Sequence, residues 1–115
     1  ARVPEIGRRP AAEMRAFFVK WQDRILYGSD TAVTPDGLTM GSRGAEHDPE
    51  ARLPEFFLAQ WRYFETDEAH LPSPTPIQGD WTIDGIGLPR VVLEKLYHRN
   101  AERVLGIRLP TAAAR

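Results

Sequence analysis

One short run, Arg24-Ile25-Leu26-Tyr27-Gly28-Ser29-Asp30, constrains this chain more than any other feature. It is apolar at its centre, breaks off abruptly into small and polar residues, and follows directly on a helical pattern. That combination reads as a buried parallel strand with Ser29 and Asp30 at its C-terminal end. A strand buried on both faces must exchange backbone bonds with neighbours. The 115 residues contain no second convincing strand pattern. A lone parallel strand would leave N–H and C=O groups unpaired, so its neighbours are expected from outside this sequence.

The rest of the chain reads as helices separated by loops. Residues 1–9 carry Pro4 and Gly7 as breakers and read as a loop or strand exit. Pro10 suits the first turn of a helix over about 10–22, with Met14, Phe17, Phe18 and Trp21 on one face. Residues 31–50 are turn-rich, with Pro35-Asp36-Gly37, Gly41 and Gly44. A second helix is expected over about 51–65, with Pro54 in its first turn and a stripe of Leu53, Phe57, Trp61 and Phe64, flanked by Phe56 and Tyr63. Residues 66–88 hold too many Pro and Gly residues for a long element. Pro89 opens a third helix with Val92, Leu93, Leu96 and Tyr97 inward. Asn100 is a good N-cap for a further short turn, and Gly106 suits a left-handed stop. Residues 107–115 are expected to fray.

Composition removes whole classes of function. Fifteen basic against sixteen acidic residues leave a net charge of -1. With no cationic surplus, there is no electrostatic case for nucleic acid or an anionic membrane. No apolar run approaches the roughly 20 residues that span a bilayer. The absence of Cys excludes disulfides, iron–sulfur clusters, thiolate zinc sites and Cys nucleophiles. Any metal must be held by His, Asp or Glu. The chain opens on Ala1 without a basic-then-apolar leader pattern and is expected to be cut from something longer. The lack of Cys and of a visible signal fits the cytoplasm, while a missing N-terminal part carrying an export signal is left open.

Few residues are placed for chemistry. Gly41-Ser42-Arg43-Gly44 lacks the strand–loop–helix setting of a phosphate loop, and no Gly-x-Ser-x-Gly elbow occurs. His47, His70 and His98 are scattered and read as surface or helix-end residues, His98 beside a helix C-terminus. The acidic stretch Glu65, Asp67 and Glu68 reads as a solvated helix end. Phe57 and Trp61 read as core. Asp30 stands apart: a carboxylate just past a buried strand sits on the rim where α/β enzymes place catalytic groups. It serves equally well as a turn residue after Gly28-Ser29.

The run Asp23-Arg24-Ile25-Leu26-Tyr27-Gly28-Ser29-Asp30, taken with Leu93-Glu94-Lys95-Leu96-Tyr97-His98-Arg99-Asn100-Ala101-Glu102-Arg103-Val104-Leu105-Gly106, resembles the C-terminal part of the amidohydrolase-related family. These are metal-dependent hydrolases and decarboxylases on a TIM-like barrel. The first segment resembles the family's last barrel strand, and the second its closing helix with the Asn-Ala-Glu-Arg run. The resemblance spans most of the chain in order, with loops 31–50 and 66–88 longer than usual.

The resemblance implies an α/β fold, the C-terminal portion of a TIM-like (β/α)₈ barrel. The last strand and flanking helices would be present, mostly helical in isolation, in one fragment over residues 1–115. A complete barrel needs about 250 residues, so the remainder of the barrel is the first expected partner. Of the family's metal ligands only the last-strand Asp maps here, onto Asp30, as both catalytic group and metal ligand. The histidine ligands would lie upstream. The implied cofactor is a divalent metal, with zinc expected, acting on a small-molecule substrate by activating water against a C–N or C–O bond. Asp30 would accept the water's proton and return it to the leaving group. Arg43, His47 and Trp81 could meet substrate from the overhanging loops, although ordinary loop roles suit them better. A non-oxidative decarboxylase of the same superfamily is the nearest alternative. A non-catalytic helical interaction module using Phe57, Trp61 and Phe64 is a third. Homo-oligomerisation is left open. Alone, the 115 residues are expected to be inactive, to bind zinc weakly and to aggregate.

Overall fold

The computed structural model describes residues 3–41, 47–73 and 81–108. Helix α1 (Val3–Ile6) is a single turn where a loop was expected. Val3 explains it: its side chain is buried in the core, and the Gly7 N–H closes the turn on Val3 O at 2.8 Å. Helix α2 (Ala11–Lys20) starts just after Pro10 and buries Met14 and Phe18. Phe17 and Trp21, expected on the same inward face, stay exposed. The Lys20 ammonium and the Arg24 guanidinium lie 5.3 and 6.0 Å from the Trp21 ring centre, so the indole meets cations rather than core.

A 3₁₀ turn (Glu50–Arg52) leads into helix α3 (Leu53–Glu65), with Pro54 in its first turn as expected. Its buried face is Phe56, Gln60, Tyr63 and Phe64. The stripe read from sequence is therefore rotated. Trp61, expected in the core, is 44% exposed, while Phe57 is half-buried against a second small cluster of Leu38, Met40 and Phe56. Helix α4 (Arg90–Glu94) follows Pro89, passes through a widened π turn (Lys95–Arg99) and continues as α5 (Asn100–Leu105). Asn100 is thus not an N-cap but an interior residue of one continuous rod. Gly106 ends that rod at φ 66°, and the Ile107 N–H reaches back to Glu102 O at 3.1 Å, the left-handed stop read from the sequence.

The long loop 66–88 has a specific job along part of its length. The last carbonyls of α3 have no partners within the helix. Ile86 N–H bonds Tyr63 O and Leu88 N–H bonds Phe64 O, both at 2.8 Å, while Thr66 caps Arg62 O through its backbone and hydroxyl. The chain can lie that close because residue 85 is glycine: a Cβ there would stand 2.3 Å from Thr66 O. The same loop contributes a short antiparallel pair, β3 (Leu71–Pro72) with β4 (Thr82–Ile83).

The barrel reading is overturned. The strands among the described residues form two separate two-stranded antiparallel sheets, and no barrel fragment is shown. The expected parallel strand at 24–30 joins neither sheet. Instead a hairpin follows it, β1 (Thr31–Thr34) with β2 (Gly37–Met40), in a region read as loop. Its register runs from Thr31↔Met40 to Thr34↔Gly37. The physical reason is local. A single strand finds no parallel neighbour here, whereas residues 31–40 need only the turn Pro35-Asp36 to find each other. Gly37 closes that turn at φ 144°, where a Cβ would also strike the His47 ring at 2.9 Å.

The main core lies between α2, α3, the 83–88 segment and the α4–α5 rod. Its aromatic centre is Phe64, edge-to-face with Phe18 at 5.5 Å, Tyr63 at 5.1 Å and Tyr27 at 6.3 Å. Such perpendicular pairs place ring edges on ring faces, the favourable quadrupole arrangement.

Candidate functional site

The segment leading to Asp30 belongs to neither a helix nor a sheet. Its exposure alternates strictly: Ile25, Tyr27 and Ser29 are half-buried, and Leu26, Gly28 and Asp30 are exposed. The inward residues are tied to the α4–α5 rod. Tyr27 N–H bonds Leu96 O at 2.9 Å. The Asn100 amide donates to both Gln22 O at 2.7 Å and Ile25 O at 2.9 Å. Lys95 Nζ reaches Asp23 Oδ1 at 2.8 Å and Gln22 Oε1 at 3.0 Å, and Arg103 donates to Asp23 O at 2.6 Å. Asn100 is 3% exposed. A buried amide with both N–H groups satisfied by carbonyls of another segment fixes that segment's path, because each bond broken would leave a buried polar group behind.

Tyr27 fixes the same segment from the other side. Its hydroxyl donates to Gln60 Oε1 at 2.8 Å, and its ring meets Tyr97 edge-on at 5.6 Å. Burial pushes the Tyr27 hydroxyl up to about 12, and Tyr63 likewise to about 12. Tyr97 is raised further by burial and by its hydrogen bond to the Glu65 carboxylate at 3.0 Å. All three phenols are held neutral and serve as donors or packing surface rather than as bases.

Asp30 then turns the chain. Its φ is 60°, a left-handed conformation that Asp tolerates better than most residues. Gly41 N–H bonds its carbonyl at 2.8 Å, and the Ser29 and Thr31 hydroxyls bond each other beside it at 2.8 Å. The backbone of Asp30 therefore does the turning foreseen in the plain reading, while its side chain is exposed at the junction of the anchored segment and the hairpin. Thr31, the next residue, pairs with Met40, and Met40 lines a cavity of about 170 Å³ together with Arg52, Phe56, Arg62, Leu71 and Ser73.

The remaining candidates are dispersed. His47 packs its ring over Gly37 at the hairpin turn. His70 sits at φ 58° with its N–H on Asp84 Oδ1 at 2.8 Å. His98 Nδ1 faces Glu102 at 3.4 Å, one turn along its own helix. Trp81 carries the Arg8 guanidinium 4.8 Å from its ring centre. Arg43 lies outside the described residues. The acidic stretch is more engaged than expected: besides Glu65 on Tyr97, Glu68 is held by both Nε and Nη2 of Arg62. Among the described residues, no group of three or more His, Asp or Glu side chains could hold a metal ion. None of the described helices is long and apolar enough to cross a membrane.

Two residues that matter here were not singled out for these roles. Asn100 extends the Val92, Leu96 row at i, i+4, i+8, and Gln60 interrupts the Phe56, Tyr63, Phe64 face. A polar amide on an apolar helical face is the signal that could have found both. Compared with models of protein families, with curated proteins and with solved structures, the chain matches none.

Proposed function

We propose that this chain carries the acidic residue of a metal-dependent hydrolase, with Asp30 as the catalytic carboxylate and as one metal ligand. The observation that supports the reading most is the direct bonding between the two segments that carry the family resemblance. Asn100, from the Asn-Ala-Glu-Arg run, holds the backbone at Gln22 and Ile25, and Leu96 holds Tyr27. Asp30 is the exposed end of that anchored segment.

A carboxylate is a suitable hard ligand for a divalent cation such as zinc. One carboxylate does not make a centre, and the described residues gather no further ligands around a common point. The reading therefore requires imidazoles from polypeptide beyond these residues. Bound there, the cation would supply an acidic water. Asp30's own part is to accept a proton at a carboxylate oxygen and return it to a leaving nitrogen or oxygen. The cavity one ladder step away, with Met40, Phe56 and Leu71 in its wall, offers room for an apolar portion of a small substrate.

The exposed Leu58 and Trp61 beside Phe57 favour one other reading, a non-catalytic interaction module docking through α3. In the intact protein, Asp30→Asn separates the two. The hydrolase reading expects turnover of amide or ester substrates to fall by about 10²- to 10⁴-fold with an unchanged melting temperature. Unchanged turnover overturns it. Carbon dioxide release from a carboxylated substrate, lost in the same variant, would assign the residue to decarboxylation instead.

A further inference from the structure

The cavity beside Met40 has an apolar floor and a charged rim. Arg52, Phe56 and Ala59 stand at i, i+4 and i+7, so one face of α3 forms a wall along its length. Met40 of the hairpin and Leu71 of β3 face that wall across a space of about 170 Å³. Met40, Phe56 and Leu71 are buried and make the floor, while Arg52 and Glu55 are exposed at the rim. The two guanidinium groups there are not equally engaged. Arg62 is committed to Glu68 through both Nε and Nη2. Arg52 meets Glu55 only through Nε at 3.9 Å, too long for a hydrogen bond, with 47% of one side chain and 78% of the other exposed. A surface pair of that length is weak, so a better placed carboxylate can take the Arg52 fork.

We propose that this cavity binds a small monocarboxylate with a branched aliphatic body, its carboxylate on Arg52 and its body against Met40, Phe56 and Leu71. The volume sets the size of the body, since an apolar cavity of about 150 Å³ holds a six-carbon ring. The floor sets its chemistry. Met40, Phe56, Ala59 and Leu71 offer a hydroxylated body no strong hydrogen-bond partner, so such a body would lose water without replacement. The rim sets the charge, because a planar guanidinium matches a carboxylate with two parallel bonds. A cation would meet two guanidinium groups against one carboxylate. A dianion would set its second charge against Glu55 or the apolar floor. The proposal goes beyond the hydrolase reading and needs neither Asp30, a metal nor turnover, so the failure of either leaves the other standing.

Titration of the chain with 4-methylpentanoate tests this, read from the methyl resonances of Met40 and Leu71. Saturable shifts with a Kd of about 1 mM or tighter are expected. The uncharged 4-methylpentanamide should bind about tenfold more weakly, and 4-methylpentanoate should lose as much on Arg52→Met. Glu55→Gln removes the competing carboxylate and should tighten binding about two- to fivefold. Both side chains are exposed, so neither variant should move the melting temperature. No saturable shift up to about 10 mM overturns the proposal. So does binding that the amide equals, that Arg52→Met leaves unchanged, or that Glu55→Gln weakens.

Discussion

The two segments joined through Asn100 and Leu96 behave differently. Residues 90–105 form one helical rod from just after Pro89 to Gly106, where the sequence reads a helix and a separate short turn capped by Asn100. Residues 25–30, the more strand-like of the two, form an irregular arm bonded to that helix and to no sheet. A helix closes its hydrogen bonds within itself and needs only an apolar face to dock. A strand needs a neighbour for its backbone as well as cover for its side chains. The difference shows why the same quality of local pattern is a safer guide to helix than to sheet.

The comparison can be broken by truncating each segment on its two faces. Leu96→Ala, in the core beneath the arm, should cost about 2–5 kcal/mol by denaturant unfolding. Leu26→Ala, on the open face, should cost under about 0.5 kcal/mol. Equal costs would mean that the arm is covered on both sides after all. Asn100→Ala should follow at about 2–3 kcal/mol, since it strands the carbonyls of Gln22 and Ile25.

Smaller effects sharpen the account of the phenols. Tyr27→Phe breaks a hydrogen bond to Gln60 and should cost about 1 kcal/mol. Tyr63→Phe should be neutral or slightly stabilising, because the buried Tyr63 hydroxyl has no partner among the described residues. Both phenols are raised from 10.0 to about 12 in the folded chain. In that window the unfolded chain has released protons that the folded chain retains. The stabilisation is therefore complete below pH 10 and is lost as the pH climbs towards 12. Either Tyr→Phe variant should flatten that alkaline decline, read as melting temperature against pH.

Helices α2, α3 and the α4–α5 rod are legible in the sequence because their signals are local: Pro54 in the first turn of α3, the Val92–Leu96 spacing and Gly106 at the stop. The inward residues of α3 are not, since Phe56, Phe57, Trp61 and Phe64 allow two overlapping stripes and only the neighbouring elements choose between them. The hairpin was hidden because Thr31-Ala32-Val33-Thr34 carries little apolar alternation and is mostly exposed. At the candidate site, the backbone turn at Asp30 is legible from its place after Gly28-Ser29. The anchoring by Asn100 is not, because its two acceptors lie 75 and 78 residues away in sequence.

Amide hydrogen exchange across the arm in dilute solution tests the central claim most directly, for it reads each edge separately. A chain whose arm hangs from the α4–α5 rod should protect Tyr27 N–H and leave Leu26 and Gly28 exchanging freely. Protection of all three amides, as in a strand bonded along both edges, would contradict the account. So would free exchange at Tyr27.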